Sequence, residues 1–331
     1  MTQAPTEDDV LDYFDALSNW GRWGDDDELG TLNLITPAKR IAAAELVRVG
    51  ESVSCAWDIG GTSAMSDRGV QRFMLATGEL PMSEFRAQVA QSGVDPDRLV
   101  PDRRDDDRSS GAGDYLGVAY HGYTVTHIDA LSHVFWDGRM YGGRSSALVT
   151  SSFGATKQGI ETLRGGIVTR GVLLDVARLR GRDWLEPGES VSPADLEACE
   201  AQHGVRVDEG DVLLLRTGYA RKVRERGRDD VARVGRAGWH ASCLPWFSER
   251  GVAAIGCDTA QDAMPSGYER VRSPIHSVGI VAMGLWLIDN CDLEALSQTC
   301  DRFGRWEFLF TLAPLRWVGA TGSPANPLAT F

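Results

Sequence analysis

The alternation of short β-rich runs with capped helical segments most constrains the fold of this chain. Ile167–Asp175 and residues 211–216 and 252–257 are rich in Val, Leu and Ile, the composition of buried strands. Between the first two runs, the Ser192-Pro193 pair is a helix start, and Gly204 is suited to end that helix. Strands that alternate with helices in this way predict an α/β fold with a β-rich core flanked by helices.

The length and the composition of the chain are typical of a globular, enzyme-sized protein with one domain. The chain has 331 residues, of which 24% are charged and 43% are hydrophobic, and its sequence contains no internal repeat and no Pro- or Ser-rich linker. We therefore expect a single domain over residues 1–331. Residues 60–115 are less regular and residues 221–236 are highly charged, and we expect both segments to be insertions or mobile loops.

The charge balance argues against two classes of partner. A formal net charge of −13 disfavours the basic face that nucleic acid requires, and it disfavours adsorption to an anionic membrane. The acidic N-terminal segment lacks the apolar core of a signal peptide, and the apolar run at residues 278–288 is too short to span a bilayer. Six scattered cysteines without CxxC spacing fit a reducing compartment. These features predict a cytoplasmic protein.

Half of the six histidines fall within thirteen residues, and they are His121, His127 and His133. If residues 120–129 are extended, the side chains of the odd-numbered residues share one face. His127 and Asp129 then stand about 7 Å apart along the strand, close enough to bind one metal ion together. His133 follows across a turn and is placed to reach the same point. Imidazole and carboxylate ligands suit Zn²⁺ or Mn²⁺. The alternative is that the three histidines pack separately.

Residues 126–133 carry the most specific motif of the chain. Their sequence, THIDALSH, resembles the THxDAxxH motif of the cyclase family of metal-dependent hydrolases, which includes kynurenine formamidases and isatin hydrolases. Further similarity follows in the order that the family shows. It comprises WDG at 136–138, the RTG that ends 210–218, GCD at 256–258, PIH at 274–276, LWLIDN at 285–290 and the closing segment 314–327.

The resemblance implies roles for particular residues. It implies one divalent metal, zinc or manganese, held by His127, Asp129, His276 and Asp289. It also assigns His133 to proton transfer between water and the leaving group. Asp258 is then either a turn-forming residue at the end of a strand or a neighbour of the ligands.

The sequence departs from the family pattern at two positions. Tyr123 stands where the family has its first ligand histidine, and His121 lies two residues earlier. His121 is either a substitute ligand or a hydrogen-bonding neighbour of a ligand. Because two residues of extended chain span about 7 Å, we predict a mononuclear site. The distal acid is Asp289 rather than the usual glutamate.

By resemblance, the protein is a hydrolase that uses metal-activated water to cleave an amide or related carbonyl bond in a small cyclic or aryl substrate. In a first alternative, the metal assists ring closure or dehydration in a polyketide-type pathway. In a second alternative, the chain binds a ligand without catalysis and has lost its metal. The presence of Tyr123 in place of a ligand histidine favours this second alternative. We expect a small-molecule substrate and a homo-oligomer, either a dimer or a tetramer. Several aromatic residues either line a flat pocket or pack in the core: Trp20, Trp23, Phe73, Tyr120, Phe135, Trp136 and Tyr141.

Overall fold

A computed structural model describes residues 4–60, 69–77, 82–99 and 111–331 of the chain. Contacts divide it into two compact units. The larger unit contains Met1–Ser66 and Tyr120–Phe331, and the smaller unit contains Asp67–Ala119. This division into compact units does not test the expectation of a single domain over residues 1–331, which stays a prediction.

The strands of the described chain range from two to nine residues in length. They are β1 (Ser52–Ser54), β2 (Val70–Ala76), β3 (Gly113–Val118), β4 (His127–Asp129), β5 (Arg139–Met140), β6 (Arg144–Ser145), β7 (Val149–Thr150), β8 (Gly154–Ala155), β9 (Ile167–Asp175), β10 (Ser190–Val191), β11 (Val212–Arg216), β12 (Gly238–Trp239), β13 (Ala254–Cys257), β14 (Trp286–Asp289), β15 (Glu307–Leu312), β16 (Gly322–Pro324) and β17 (Leu328–Thr330).

The α-helices of the described chain are mostly short. They are α1 (Glu7–Ala16), α2 (Pro37–Ala44), α3 (Met82–Gln91), α4 (Pro96–Leu99), α5 (Val176–Leu179), α6 (Pro193–His203), α7 (Tyr219–Arg226), α8 (Val231–Val234), α9 (Cys243–Arg250), α10 (Pro274–His276) and α11 (Glu294–Phe303). Short 3-10 helices occupy Gly30–Leu34, Tyr141–Gly143, Ser146–Leu148 and Ile160–Leu163, and a π-helix follows α10 over Ser277–Met283. Within the described residues, no helix is long and apolar enough to cross a membrane.

The main sheet of the larger unit contains nine strands of the described chain, in the order β1-β17-β15-β9-β11-β13-β14-β4-β16. The four central strands, β9, β11, β13 and β14, are parallel to one another. Antiparallel strands flank them on both sides. Every residue of β11, β13 and β14 is buried, as expected for the parallel centre of an α/β sheet. The mixed sheet with its surrounding helices confirms the predicted α/β class.

Local sequence signals placed several elements correctly. Helix α6 begins after Ser192, whose hydroxyl and N–H both donate to Asp195, and it ends at Gly204 with φ at +63°. The predicted runs at β9, β11 and β13 are confirmed as neighbouring parallel strands. The expected strand over residues 120–129 is wrong, because only β4 is extended and residues 121–124 form a turn.

The two segments expected to be insertions or loops contain regular structure. In residues 60–115, β2 pairs antiparallel with β3, and α3 and α4 lie between them in the chain. Residues 61–68, 78–81 and 100–110 lie outside the described residues. Residues 221–236 contain most of α7 and all of α8. Lys222 of α7 is buried and its ammonium group lies 2.9 Å from a carboxylate oxygen of Asp229.

A buried ion pair stabilises the end of β11, at the start of the RTG segment. The Arg216 side chain is 7% exposed, and its Nη1 donates to Asp175 over 2.9 Å. Its Nε and Nη2 donate to the two carboxylate oxygens of Glu294 over 2.9 and 2.8 Å. Because Asp175 is fully buried, its charge depends on this guanidinium for compensation.

We predict that Arg216→Met lowers the free energy of unfolding by about 3–5 kcal/mol, since it leaves the Asp175 carboxylate buried without its counterion. Urea denaturation at neutral pH measures the loss. Arg221→Met is the matched control, because Arg221 pairs with Asp183 and Glu225 at the exposed surface and should cost less than about 1 kcal/mol. Equal losses in the two variants would contradict a structural role for the buried pair.

Candidate metal centre

Strand pairing brings three of the predicted ligands together. β4 lies between β14 and β16, and Asp289 of β14 is directly opposite His127. Side chains directly opposite each other across an antiparallel pair project from the same face of the sheet. Asp129 shares that face because it lies two residues from His127. One ligating atom from each of these residues lies within 4.8 Å of the others.

The Asp129 carboxylate is the centre of this group. It is 1% exposed, and neither oxygen accepts a hydrogen bond from any residue that the structure describes. Four imidazoles surround it instead. Asp129 Oδ1 lies 2.9 Å from His121 Nδ1, 3.5 Å from His127 Nε2 and 3.9 Å from His133 Nε2, and Oδ2 lies 3.8 Å from His276 Nε2. Even the contact with His121 lacks the geometry of a hydrogen bond.

Buried carboxylates are normally paired with a cation or with hydrogen-bond donors. Burial by itself raises the pKa of Asp129, but the surrounding imidazoles outweigh it and hold the pKa below its usual value. The carboxylate is therefore ionised at neutral pH, and no described residue donates a hydrogen bond to it. A buried carboxylate that is surrounded by further nitrogen and oxygen ligand atoms is a suitable binding site for a divalent metal ion.

Two histidines present Nε2 to the centre because their other ring nitrogen is held. His127 Nδ1 donates to the carbonyl oxygen of Val125 over 2.9 Å, which leaves the Nε2 lone pair free. His276 Nδ1 lies 2.5 Å from Asp262 Oδ2, and its Nε2 lies 3.5 Å from Asp289 Oδ2. Burial lowers the pKa of His276, but Asp289 and Asp262 outweigh it and raise the pKa well above its usual value, so that a metal ion at Nε2 would have to displace a proton.

The sequence did not identify the residues that hold these ligands. Gln261 Nε2 donates to Asp289 Oδ1 over 2.9 Å, and Gln261 Oε1 accepts from Trp239 Nε1 over 2.9 Å. Asp262 contacts His276, and its Oδ1 accepts from the backbone N–H of Ile275 over 2.7 Å. Their only sequence signal is their position shortly after the GCD segment.

His133 and His121 form a second group on Asp129. Their rings stack with centroids 3.7 Å apart and planes 4° apart, and each offers one nitrogen within 4.8 Å of an Asp129 oxygen. His121 Nε2 lies 2.9 Å from Thr321 Oγ1. Burial lowers the pKa of His133 to about 4; the Asp129 carboxylate opposes this effect, and the neighbouring imidazoles add to it. His133 is therefore neutral at pH 7 and can accept a proton.

The turn at residues 121–124 changes the expected geometry of His121. Gly122 adopts φ +91°, in the left-handed region that favours glycine, and the chain reverses before β4. His121 thereby lies against Asp129 rather than 7 Å further along a strand. The spacing argument for a mononuclear site is therefore wrong, because two candidate ligand groups share Asp129.

Two other candidate residues lie outside these ligand groups. The Tyr123 hydroxyl contacts Nη1 of Arg236. Asp258 accepts four hydrogen bonds of 2.7–3.0 Å from residues 217–219, three from backbone N–H groups and one from the Thr217 hydroxyl. Asp258 therefore organises the RTG turn, and its oxygens are fully engaged there.

Comparison with known proteins agrees with this architecture. The family model described as "Putative cyclase" matches residues 81–261. The chain belongs to the cyclase family. A crystal structure described as a novel cyclase is 31% identical, with a TM-score of 0.79 over 95% of this chain and 100% of that one. Among curated proteins, none matches the sequence.

Two isatin hydrolases have a similar fold at low identity. Isatin hydrolase A from Labrenzia aggregata, bound to benzyl benzoate, is 15% identical with a TM-score of 0.54, over 89% of this chain and 98% of that one. Isatin hydrolase A from Ralstonia solanacearum is 19% identical with a TM-score of 0.51, over 89% and 97% of the two chains. These likenesses extend the fold assignment.

We predict that Asp129→Asn abolishes metal binding, because Asp129 belongs to both candidate ligand groups. Elemental analysis of the purified protein after incubation with Zn²⁺ or Mn²⁺ measures the metal per chain. Asp258→Asn is the matched control, since it neutralises another buried carboxylate of the same unit that lies in neither group. An Asp129→Asn protein that retains full metal content would refute the assignment.

Proposed function

We propose that this protein is a metal-dependent hydrolase that cleaves an amide or related carbonyl bond in a small ring-bearing substrate. The observation that carries the proposal is the donor-free carboxylate of Asp129, surrounded by imidazoles within a cyclase-family fold. The isatin hydrolases of similar fold support hydrolysis, and isatin is itself a cyclic amide fused to an aromatic ring.

Four residues would hold one divalent ion, zinc or manganese: His127, Asp129, His276 and Asp289. When bound, such an ion acidifies a water molecule and polarises the substrate carbonyl. Gln261 and Asp262 orient Asp289 and His276 from outside, so that one oxygen and one nitrogen remain directed at the centre.

His133 is the residue we assign to proton transfer. Its Nε2 faces the same Asp129 oxygen as His127, and its pKa of about 4 leaves it neutral at pH 7. The oxygen of water bonds to the carbonyl carbon while His133 Nε2 accepts the proton of that water. The bond from carbon to the leaving nitrogen or oxygen then breaks, and His133 returns the proton to the leaving atom.

A cavity beside the site supports a substrate with an apolar ring. It has a volume of about 440 Å³, and its lining includes Tyr120, Phe153, Trp317, Val318 and Thr321. Tyr120 and Thr321 connect the cavity to the centre, because the Tyr120 ring lies 4.6 Å from the ring of His121 and Thr321 contacts His121 Nε2. Pockets of this volume hold small ligands that bind largely through apolar contacts.

The predicted aromatic lining is only partly present. Of the aromatic residues singled out by sequence, Tyr120 lines this cavity. Trp20 and Tyr141 line a different cavity of about 300 Å³, and Trp136 stacks on Phe14 with ring centroids 4.6 Å apart. Sequence analysis did not identify Phe153 and Trp317, because both lie outside the histidine motif in the sequence.

Hydrolysis is tested by following acid release at constant pH. The metal-loaded protein is incubated with aryl-fused lactams, anilides and aryl esters, whose amine or phenol products are uncharged at neutral pH, and products are identified by mass. The proposal expects release of one acid per bond cleaved and no release after chelation. Products that lose water or close a ring without releasing acid would favour the cyclase or dehydratase alternative, and no conversion of any compound would favour a binding protein.

We predict that His133→Ala lowers turnover roughly 10²–10⁴-fold while metal content stays at the wild-type level, the range expected for loss of a general acid–base group. Turnover and metal per chain are measured on the same preparation. His240→Ala serves as the control, because His240 is partly buried but contacts Ser242 away from Asp129. Loss of metal together with turnover would make His133 a ligand instead.

Trp317→Ala should raise KM for an aryl substrate about 10-fold with a smaller change in kcat. The substitution removes an aromatic contact that contributes about 1–2 kcal/mol to the free energy of substrate binding. Steady-state kinetics separate the two constants. Leu315→Ala is the matched control, because Leu315 is equally exposed on the same loop but does not line the cavity. Equal KM values for the two variants would remove the cavity from the substrate site.

A further inference from the structure

Arg236 is a buried arginine that has no carboxylate partner among the residues that the structure describes. It is 8% exposed, and its Nε donates to the backbone carbonyl of Asp262 over 2.8 Å. Its Nη1 contacts the hydroxyl of Tyr123, and its guanidinium carbon lies 5.4 Å from the centroid of the Tyr123 ring. Within the described residues, no acidic side chain forms an ion pair with Arg236, and its Nη2 donates to no acceptor.

Two comparable arginines of the larger unit, Arg216 and Arg170, are fully compensated. Arg216 pairs with Asp175 and Glu294, and Arg170 pairs with Asp211 and Glu307 as well as with a more exposed aspartate. A guanidinium is always charged in proteins, and a buried charge without a counterion is costly. Arg236 therefore retains a positive charge and a donor, Nη2, that no described residue satisfies.

Asp262 connects Arg236 to the candidate metal centre. Its backbone carbonyl accepts from Arg236, while its side-chain Oδ2 contacts His276 Nδ1. Tyr123 provides a second connection, since it lies between His121 and His127 in the chain. Asn290 Nδ2 donates to the carbonyl of Gly122 over 2.6 Å and so ties the turn that carries Tyr123 to the end of β14.

The backbone holds the guanidinium in place. The N–H and carbonyl of Arg236 both bond to Met264 over 2.9 Å. A Cβ atom at Gly235 would lie 1.9 Å from the Met264 carbonyl, and one at Gly238 would lie 2.1 Å from the Gln261 carbonyl. Residues 235–238 thus lie directly against residues 261–264, and the charge is positioned before any ligand arrives.

We propose that Arg236 and Tyr123 form a binding site for a carboxylate group of the substrate, at the position where the family motif has a ligand histidine. This inference rests on the proposed hydrolase function. Arg236 offers Nη1 and Nη2 on one side of a planar guanidinium, the arrangement that binds both oxygens of a carboxylate. The Tyr123 hydroxyl adds a third donor. The anion would supply the countercharge that Arg236 lacks, and the candidate metal centre, which Asp262 connects to Arg236, would hold the neighbouring carbonyl bond.

Two compounds with the same scissile bond test the proposal. Formanilide and 2-formamidobenzoate both contain an aryl formamide, and only the second carries a carboxylate. We expect the metal-loaded wild-type protein to favour 2-formamidobenzoate by about 10–100-fold in kcat/KM, the range of one or two charge-assisted hydrogen bonds. Arg236→Gln should reduce this ratio to near one, and Tyr123→Phe should reduce it about 3–10-fold.

Arg221→Gln is the matched control, because it removes an exposed arginine elsewhere in the unit and should leave the ratio at its wild-type value. Thermal unfolding establishes that each variant is folded. If Arg236→Gln does not fold, Arg236→Lys and Tyr123→Phe carry the test, and both should lower the ratio. A wild-type ratio near one, or a ratio that persists in these variants, would overturn the proposal.

Calorimetric titration separates this inference from the hydrolase proposal. The two compounds are titrated into chelator-treated protein, in which no metal can hold the carboxylate, and into metal-loaded protein. Tighter binding of 2-formamidobenzoate that disappears in Arg236→Gln supports the carboxylate site even if neither compound is hydrolysed. Hydrolysis of both compounds without such a difference in affinity would leave the hydrolase proposal standing and reject the carboxylate site.

Discussion

The burial of the Asp129 carboxylate without a hydrogen-bond donor is the constraint on which the rest of the site depends. The carboxylate lies on a strand inside the main sheet, where water cannot compensate its charge. The side chains directed at it are imidazoles, and their nitrogens lie near the carboxylate without forming a hydrogen bond of good geometry. A divalent ion would supply the missing countercharge, and we therefore expect metal binding and the stability of this region to be coupled.

The sheet and its neighbouring loops position the centre with little freedom. β4 is paired on both sides, and its register sets Asp289 opposite His127. Gln261 donates a hydrogen bond to Asp289, and Asn290 follows Asp289 in the chain. Gln261 and Asn290 both adopt positive φ angles, +52° and +55°. Such conformations are uncommon for residues other than glycine and tend to occur at functional sites. Here they direct one amide at Asp289 and the other at the turn that carries His121 and Tyr123.

Sequence reasoning succeeded where the determining interactions are local. The THIDALSH motif placed His127 and Asp129 on one strand face, and the Ser192 cap with Gly204 predicted the bounds of α6. It failed where distant segments decide the structure. The reversal at residues 121–124 depends on Gly122 and on a contact with Asn290, 168 residues away. Gln261 and Asp262 act through tertiary contacts that no short spacing reveals, and the Arg236 contact with Tyr123 joins residues 113 positions apart.

Anomalous diffraction from crystals grown with Mn²⁺ or Zn²⁺ tests the central claim most directly, because it locates the ion without assuming an activity. The account predicts an anomalous peak bonded to an Asp129 oxygen, with His127 and Asp289 among its other ligands. A crystal at saturating metal that shows no peak at Asp129, or a peak only at some other position, would contradict the account.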